Sequence, residues 1–435
     1  MSDEGHSQPQ KKDSFAALRY KDFRIYLAQR FFFTFAYQMQ TAALGYYIYD
    51  LTHSKLALAW VGLSEAIPAV GLALYGGYIA DKYEKRKMLL LIFSGVFLSS
   101  FVMFITTLKG MSGYVHTGWI LPILYGMIFC NGIARAFFGP AIFTVYAHSI
   151  PRELYPNAST WSSTGWQIAS ILGPLCVGLI YALGGGITGN FVIILIFLLV
   201  TLVLVFTLRK YPAVFVPKES IWKSLSEGIG FVFKTKMMVA AMSLDLFSVF
   251  FGGSVALLPV FAQDILHVGA EGFGVMKMAS SLGAALTMVI MVRYSPLNKP
   301  WRNLLIAVTG FGLCIIGFGL SRSFLLTVLF LFGQGAFDSI SVIIRGTLVQ
   351  LLTPDHMRGR VSAVNSMFIG SSNEIGDFES GLMANWLGTV PAVLVGGSIT
   401  LLIVTITYFK TTSLLPLGVS DIHTVEVAEE KAATA

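Results

Sequence analysis

The stretch SSNEIGDFESG, residues 371–381, places the carboxylates of Glu374, Asp377 and Glu379 within six consecutive residues. The residues on either side, 363–370 and 382–397, carry no charge. Such a stretch is either a solvated loop between two apolar segments or part of a membrane helix that carries acidic side chains. The rest of the sequence decides between these two structures.

The composition is that of an all-α polytopic membrane protein. Of 435 residues, 55% are hydrophobic and only 12% are charged, whereas about a quarter of the residues in a soluble protein are charged. Apolar runs of roughly 20 residues cross a hydrocarbon core of about 30 Å. Such runs predict twelve membrane spans, at 24–50, 57–80, 88–108, 119–148, 158–183, 187–208, 237–263, 271–292, 302–321, 324–350, 361–387 and 390–409.

The distribution of basic residues predicts the orientation. Outside the spans, 23 of the 30 Lys and Arg residues lie on the side of the two chain ends, and only Lys55, Lys109 and Arg322 lie on the opposite side. This bias marks the cytoplasmic side, so both termini are expected in the cytoplasm. The net charge of +7 then reflects topology, and no nucleic-acid partner is expected. The three cysteines fall inside spans, so neither a disulfide nor a metal site is expected.

A hydrophilic stretch at 209–236 divides the spans into two groups of six. Its second part has apolar residues at steps of four, which favours an amphipathic helix on the membrane surface. The sequence therefore predicts a cytoplasmic N-terminal tail (1–22), an N-terminal six-helix bundle (23–208), a cytoplasmic linker (209–236), a C-terminal six-helix bundle (237–409) and a cytoplasmic C-terminal tail (410–435).

The two halves align with each other at a nearly constant offset. A shift of 203 residues places Gly132 on Gly335, Gly173 on Gly376 and Gly178 on Gly381, and a shift of 212 places Gly62 on Gly274. Two parallel six-helix repeats around an axis along the membrane normal are the layout of the major facilitator fold. Under the shift of 203 residues, residues 371–381 align with residues 168–178 of the fifth span. The acidic stretch is therefore predicted to lie within the eleventh membrane helix.

The alignment also pairs charged residues of opposite sign. The aligned pairs are Arg135 with Asp338, Glu65 with Lys277, and, one position displaced, Arg30 with Asp245. Ionisable groups at membrane depth are costly and mark a function or a buried partner. Two lobes with complementary charges can close on each other across a central cavity and exchange partners. Alternatively, each pair is a static ion pair that holds the lobes together.

Helix geometry adds to this interpretation. At about 100° per residue, Glu374 and Asp377 share a face, while Glu379 points the other way, and Asp338 shares a face with Arg345. Two nearby carboxylates in a low dielectric cannot both ionise cheaply, which suits proton coupling; alternatively, one of them caps or salt-bridges a neighbouring helix. The candidates for proton or charge coupling are Asp338, Glu374, Asp245, Glu65 and Asp377. The candidate gating or anion-binding partners are Arg135, Arg345, Lys277 and Arg30.

The stretch GGYIADKYEKRK, residues 76–87, resembles the signature loop between helices 2 and 3 of the major facilitator superfamily. The matching positions are Gly77, Asp81, Lys82, Arg86 and Lys87. Glycine allows close helix approach, and an aspartate is favourable at the N-terminus of a neighbouring helix. The resemblance implies a latch to helix 11 on the cytoplasmic side. Acid or lysine here replaces the usual glycine within the basic cluster.

Two further stretches resemble antiporter motifs. RAFFGPA (135–141) resembles the helix 4 motif implicated in proton transfer, although Phe138 stands where a polar residue is expected. GWQIASILGPLCVG (165–178) resembles the glycine–proline motif of helix 5, with Gly165, Gly173, Pro174 and Gly178 at the matching positions. Proline and glycine bend and thin a helix, so that the lobes can pack and rock.

The stretches 351–368 and 244–269 look like the bacterial branch that includes enterobactin-type siderophore exporters and macrolide efflux pumps. The resemblance implies a secondary transporter of the inner membrane that exports a bulky amphipathic molecule by proton antiport. It implies no enzymatic activity and no cofactor, with a small-molecule substrate and the bilayer as partners, and a functional monomer. The alternatives are a lysophospholipid flippase or importer on the same fold, a polytopic lipid-modifying enzyme, and a non-transporting receptor.

Overall fold

The computed structural model of the chain describes residues 13–108, 117–210, 221–354 and 357–418, and these are almost entirely helical. The helices are α1 (Lys21–Thr52), α2 (Lys55–Gly71), α3 (Ala73–Lys82), α4 (Lys85–Thr107), α5 (Thr117–Ser149), α6 (Tyr155–Ala182), α7 (Gly186–Thr207), α8 (Ile221–Lys234), α9 (Lys236–Phe251), α10 (Leu258–Val260), α11 (Gly269–Arg293), α12 (Pro300–Leu320), α13 (Phe324–Leu352), α14 (Arg358–Leu387) and α15 (Thr389–Lys410). The second predicted span consists of α2 and α3. The seventh consists of α9, a 3-10 turn, α10 and a π-helical turn over Phe261–Ile265.

Both halves of the chain use the same helix pairing. In the first half, α1 packs on α6 and α7, α5 packs on α2 and α4, and α4 packs on α7. In the second half, α9 packs on α14 and α15, α13 packs on α11 and α12, and α12 packs on α15. Each pair in one half matches a pair in the other, so the predicted fold of two pseudo-symmetric six-helix bundles is confirmed. We refer to α1–α7 as the N-bundle and to α9–α15 as the C-bundle; α8 lies within the predicted linker.

Glycines at repeat-matched positions mark where helices touch. A Cβ atom built on Gly173 would lie 2.9 Å from Gln38, on Gly376 2.8 Å from Phe250, on Gly178 2.9 Å from Ala270 and on Gly381 2.7 Å from Ala59. The first two contacts lie inside the bundles, between α6 and α1 and between α14 and α9. The other two join the bundles, between α6 and α11 and between α14 and α2, and we call these two close contacts the seams. Small residues allow this approach of helix backbones, and the predicted offset holds in three dimensions.

The helix ends define two faces, which we call the terminal face, where α1 begins and α15 ends, and the distal face opposite. Toward the distal face one buried apolar cluster joins the bundles, with Tyr46 of α1 packed on Phe273 of α11 at 5.4 Å between ring centroids. Near the terminal face, the buried apolar residues of the C-bundle form two clusters of their own, around Trp301 and Met238. The bundles are therefore packed together at the distal face and separate from each other toward the terminal face.

Nine helical segments in the described ranges are long and apolar enough by themselves to cross a membrane. The predicted spans outside this group are α1, the α2–α3 pair and α14. These three are interrupted or carry polar and charged side chains along their length, and they occupy span positions through the bundle pairing. Residues of α1, α2 and α14 line the interior between the bundles.

We predict that Gly178→Ala and Gly381→Ala each destabilise the protein, because the added methyl group meets backbone atoms of the facing helix. Overpacking of this kind costs about 1–3 kcal/mol. Gly126→Ala is the matched control, since no heavy atom lies within 4 Å of its Cβ position. The measurement is the midpoint of thermal unfolding in detergent, and equal midpoints for the three variants would contradict these seams.

Candidate functional site

A cavity of about 580 Å³ lies between the two bundles, within the size range of small-molecule sites. Its walls come mainly from α1, α2, α5, α6, α11 and α14. The apolar part of the lining includes Phe33, Phe138, Trp166 and Phe273. The charged part consists of Arg30, Glu65, Arg135, Lys277, Glu374 and Asp377. The cavity thus combines aromatic walls with three acids and three bases.

Arg135 of α5 connects the two bundles. Its Nη1 lies 2.9 Å from Oε1 of Glu65 in α2, and the same nitrogen is ion-paired with Oε1 of Glu374 in α14. The hydroxyl of Tyr37 in α1 donates a hydrogen bond to Glu65. Glu65, Arg135 and Tyr37 belong to the N-bundle and Glu374 to the C-bundle. One guanidinium is therefore shared between carboxylates of opposite bundles.

Glu374 is buried, with only one of its oxygens in the ion pair. Its Oε2 is buried without a hydrogen-bond partner in the part of the chain that the structure describes. The Arg135 side chain is 43% exposed, so solvent in the cavity reaches the ion pair. A buried charged oxygen without a donor carries a desolvation cost. The ionised state of Glu374 thus depends on its contact with Arg135.

Asp377 lies about one helical turn after Glu374 and also lines the cavity, so the predicted shared face is confirmed. Lys277 of α11 lines the same cavity and brings a second cation to these acids. We call Glu65, Arg135, Lys277, Glu374 and Asp377 the central cluster. Its three carboxylates and two cations sum to a charge of −1 when all are ionised, since −3 + 2 = −1.

Arg30 occupies a different part of the cavity. Its Nη1 donates to the hydroxyl of Tyr26 at 2.7 Å and to Oγ of Ser162 at 2.6 Å. Arg30 precedes Tyr37 by seven residues on the same face of α1, which at 1.5 Å per residue places it about 10 Å nearer the terminal face. It is thus separate from the central cluster.

Asp245 of α9 and Arg345 of α13 form a buried ion pair inside the C-bundle. The pair lies in a small recess with Asn365 and Phe368, apart from the central cavity. The expected pairing of Arg30 with Asp245 across the repeat axis is therefore not present in this conformation. The physical reason is helix adjacency: α9 and α13 are neighbours, whereas α1 and α9 face each other across the interior.

Asp338 was expected opposite Arg135, but it is half-buried in α13 and does not line the cavity. Within the described residues it makes no ion pair, and Arg135 is paired with Glu65 and Glu374 instead. The repeat alignment identifies equivalent positions, and equivalence about an axis does not require contact. A role for Asp338 in proton coupling stays a prediction.

The signature loop is only partly described. The surroundings of Gly77 and the side chain of Asp81 lie outside what the structure describes, so the expected latch to α14 stays a prediction. Lys82 and Lys87 are exposed, and Arg86 donates a hydrogen bond to the carbonyl of Phe206 at the end of α7.

In the motif resembling the antiporter helix, Gly173 and Gly178 provide the close contacts of α6 with α1 and α11 described above. The carbonyl of Pro174 faces Gly274 of α11. Gly165 is less crowded, with Leu27 at 3.7 Å from its Cβ position. The motif therefore lies along both a bundle contact and a seam between bundles.

Two tyrosines that hold charged residues in place were not predicted from the sequence. Tyr37 is hydrogen-bonded to Glu65. Its distance of seven residues from Arg30 could have indicated that both lie on the same face of α1. Tyr49 near the end of α1 donates a hydrogen bond to Asp264 of the C-bundle, which fastens the bundles at the distal face. Asp264 aligns with Asp50 in the repeat. The alignment therefore marks the position of Asp264, but it does not identify Tyr49 as its hydrogen-bond partner.

Comparison with known proteins places these features in a family. Residues 12–430 match the family model described as transmembrane secretion effector. The enterobactin exporter EntS of Citrobacter koseri is 25% identical over 391 residues, covering 87% of this chain and 88% of that protein. EntS of Shigella flexneri is 25% identical over 356 residues, covering 79% and 80%.

Solved transporter structures share the fold. A POT family transporter in complex with 5-aminolevulinic acid superposes with a TM-score of 0.72 at 13% identity, covering 91% of this chain and 97% of that one. The nucleoside transporter NupG gives a TM-score of 0.69 at 16% identity, covering 89% and 98%. The major facilitator fold is therefore established. The protein is a multi-pass membrane transporter, and its relatives are transporters rather than enzymes.

We predict that Tyr49→Phe loosens the distal face, because it removes the hydrogen bond to Asp264. Spin labels at Leu183 and Ser323, exposed residues on the distal face of the N-bundle and C-bundle, report the separation by pulsed electron resonance. The variant should populate longer distances, and the control Tyr47→Phe should match the wild type. Identical distance distributions in all three proteins would remove Tyr49 from the closure.

We predict that Asp245→Asn alone is severely destabilising, by about 3–5 kcal/mol, because it leaves the buried Arg345 guanidinium unpaired. Replacing both residues, Asp245→Leu with Arg345→Met, should recover most of the loss. Thermal unfolding in detergent measures both effects. If the double variant is as unstable as the single one, the pair is not a self-contained structural ion pair.

Proposed function

The chain belongs to the transmembrane secretion effector family, and we propose that it exports a bulky amphipathic small molecule across the bacterial inner membrane by proton antiport. Siderophores and drug-like compounds are the candidate substrates, in keeping with the enterobactin exporters among its relatives. The bias of Lys and Arg residues supports a cytoplasmic terminal face. The cavity then faces the cytoplasm in the described conformation, from which an exporter takes its substrate.

The ion pair between Arg135 and Glu374 is the observation that carries this proposal. It joins the two bundles at the level of the cavity, and one of its members is a half-satisfied buried carboxylate. The central cluster has a net charge of −1, so uptake of one proton makes it neutral. A site that gains a proton and loses a contact between bundles at the same time couples protonation to rearrangement.

The proposed cycle follows from the seams. The distal face opens when α2 separates from α14 and α6 from α11, which withdraws Glu374 from Arg135. The carboxylate, no longer paired and only partly solvated, takes up a proton from the distal side. Return to the described conformation restores the ion pair, and the proton leaves toward the terminal face. Substrate travels the opposite way, because it enters the cavity while Glu374 is ionised.

The test is proton flux in proteoliposomes that carry an imposed pH gradient and a lumenal pH dye. A siderophore, a macrolide and a lipophilic dye are added in turn. We predict that one of them triggers proton movement in the wild type and that Glu374→Gln abolishes this movement, because an amide cannot take up and release the proton.

Glu379→Gln is the matched control, because Glu379 lies on the same helix and does not line the cavity. It should leave the substrate-dependent flux near the wild-type level. Substrate transport without proton movement in the wild type would overturn the antiport mechanism. Equal loss in both glutamate variants would remove the specific role of Glu374.

A further inference from the structure

Arg30 is a cavity cation whose neighbours carry no negative charge. Its two hydrogen-bond partners, the hydroxyls of Tyr26 and Ser162, are neutral, and they engage only Nη1. Within the described residues, Nε and Nη2 make no hydrogen bond and no carboxylate lies within ion-pair distance. The guanidinium is therefore held in place by two hydroxyls while part of its donor fork remains available. A fork of this kind matches carboxylate and phosphate groups.

The other cations of the cavity are already compensated. Arg135 is shared by Glu65 and Glu374, and Lys277 lines the cavity together with the acids Glu65 and Asp377. Asp245, the repeat counterpart of Arg30, is ion-paired with Arg345 inside the C-bundle. In the part of the chain that the structure describes, no acid is thus available to Arg30 in this conformation. An unpaired cation at membrane depth is costly, and a negatively charged ligand would offset that cost.

The side chains near Arg30 also indicate which chemical group would carry the negative charge of a bound ligand. Trp166 lies one helical turn beyond Ser162 on α6, lines the cavity and is 44% exposed. Phe33 and Thr34 of α1 line the cavity next to Arg30 along the chain. An exposed indole beside a guanidinium offers a stacking surface for a flat ring and donors for an oxygen anion.

We propose that Arg30 is the anion-binding residue of the substrate cavity, and that the substrate is an aromatic molecule with an acidic oxygen group, such as a carboxylate or phenolate, which Arg30 binds while Trp166 packs on the ring. This inference rests on the proposed function for its premise that the cavity holds the transported molecule. It adds the charge of that molecule and the end of the cavity at which it binds.

The test compares binding of dansylglycine and its methyl ester to the full-length protein in detergent, without a proton gradient. The two probes share the aromatic body and differ in the carboxylate. We predict that the wild type binds the acid about tenfold more tightly than the ester, the worth of a charged hydrogen bond. Arg30→Gln should abolish this preference, and Arg30→Lys should retain part of it. Arg24→Gln, which alters an exposed residue of the same helix that does not line the cavity, should bind as the wild type does.

Two outcomes would overturn the inference. One is a wild type that shows no preference for the acid, a measurement that requires no variant to fold. The other is an unchanged preference in a folded Arg30→Gln protein. Titration with lysophosphatidate, which carries an acidic oxygen on an acyl chain, tests the aromatic part. Tighter binding of this lipid than of dansylglycine would contradict an aromatic substrate.

The binding assay is independent of the antiport proposal. An acid preference that depends on Arg30, found together with an absence of coupled proton flux, would refute antiport and leave the substrate assignment intact. Coupled flux without the acid preference would do the reverse.

Discussion

The contact of one guanidinium with carboxylates from both bundles is the constraint on which the rest of the structure depends. Arg135 lies between Glu65 of its own bundle and Glu374 of the other. A charge at this depth requires partners, so α2, α5 and α14 must remain close at the level of the cavity in this conformation. The glycine seams at α2–α14 and α6–α11 bring the backbones near enough for these side chains to meet. In the proposed cycle the same contact is lost when these helices separate.

The fold could be predicted from the sequence because its main determinants are periodic. Apolar runs separated by short polar segments gave the spans, and the offset of about 203–214 residues gave the repeat. The segments with the weakest apolar signal, α1, the α2–α3 pair and α14, carry most of the charged residues of the cavity lining, while Arg135 lies on α5 and Lys277 on α11. The apolar runs predicted all three as spans, and the repeat placed the acidic stretch of α14 inside a membrane helix. A helix that carries charged residues into a cavity has a lower mean hydropathy than a helix that contacts only lipid and other helices.

The composition of the site was predictable to a similar extent, but its pairing was not. The sequence identified Glu65, Arg135, Lys277, Glu374 and Asp377 as intramembrane charges, and all five line the cavity. The expected partners followed the repeat axis, whereas the actual partners follow helix adjacency. Because α2 packs on both α5 and α14, Glu65, Arg135 and Glu374 meet at one point. Arg345 instead pairs with Asp245 of the neighbouring α9. Adjacency is a tertiary property that an alignment of two halves does not contain.

We propose that protonation of Glu374 and opening of the distal face are one coupled equilibrium. A ligand shifts a two-state equilibrium toward the state that binds it better, so protons must favour the distal-open state if that state separates Glu374 from Arg135. The direct measurement is the distance distribution between Leu183 and Ser323 across the distal face as a function of pH, in the wild type and in Glu374→Gln. We predict that acidification increases the distal-open population of the wild type, and that the variant is shifted toward that state at every pH. A wild type that does not respond to pH, or a variant that keeps the wild-type response, would contradict it.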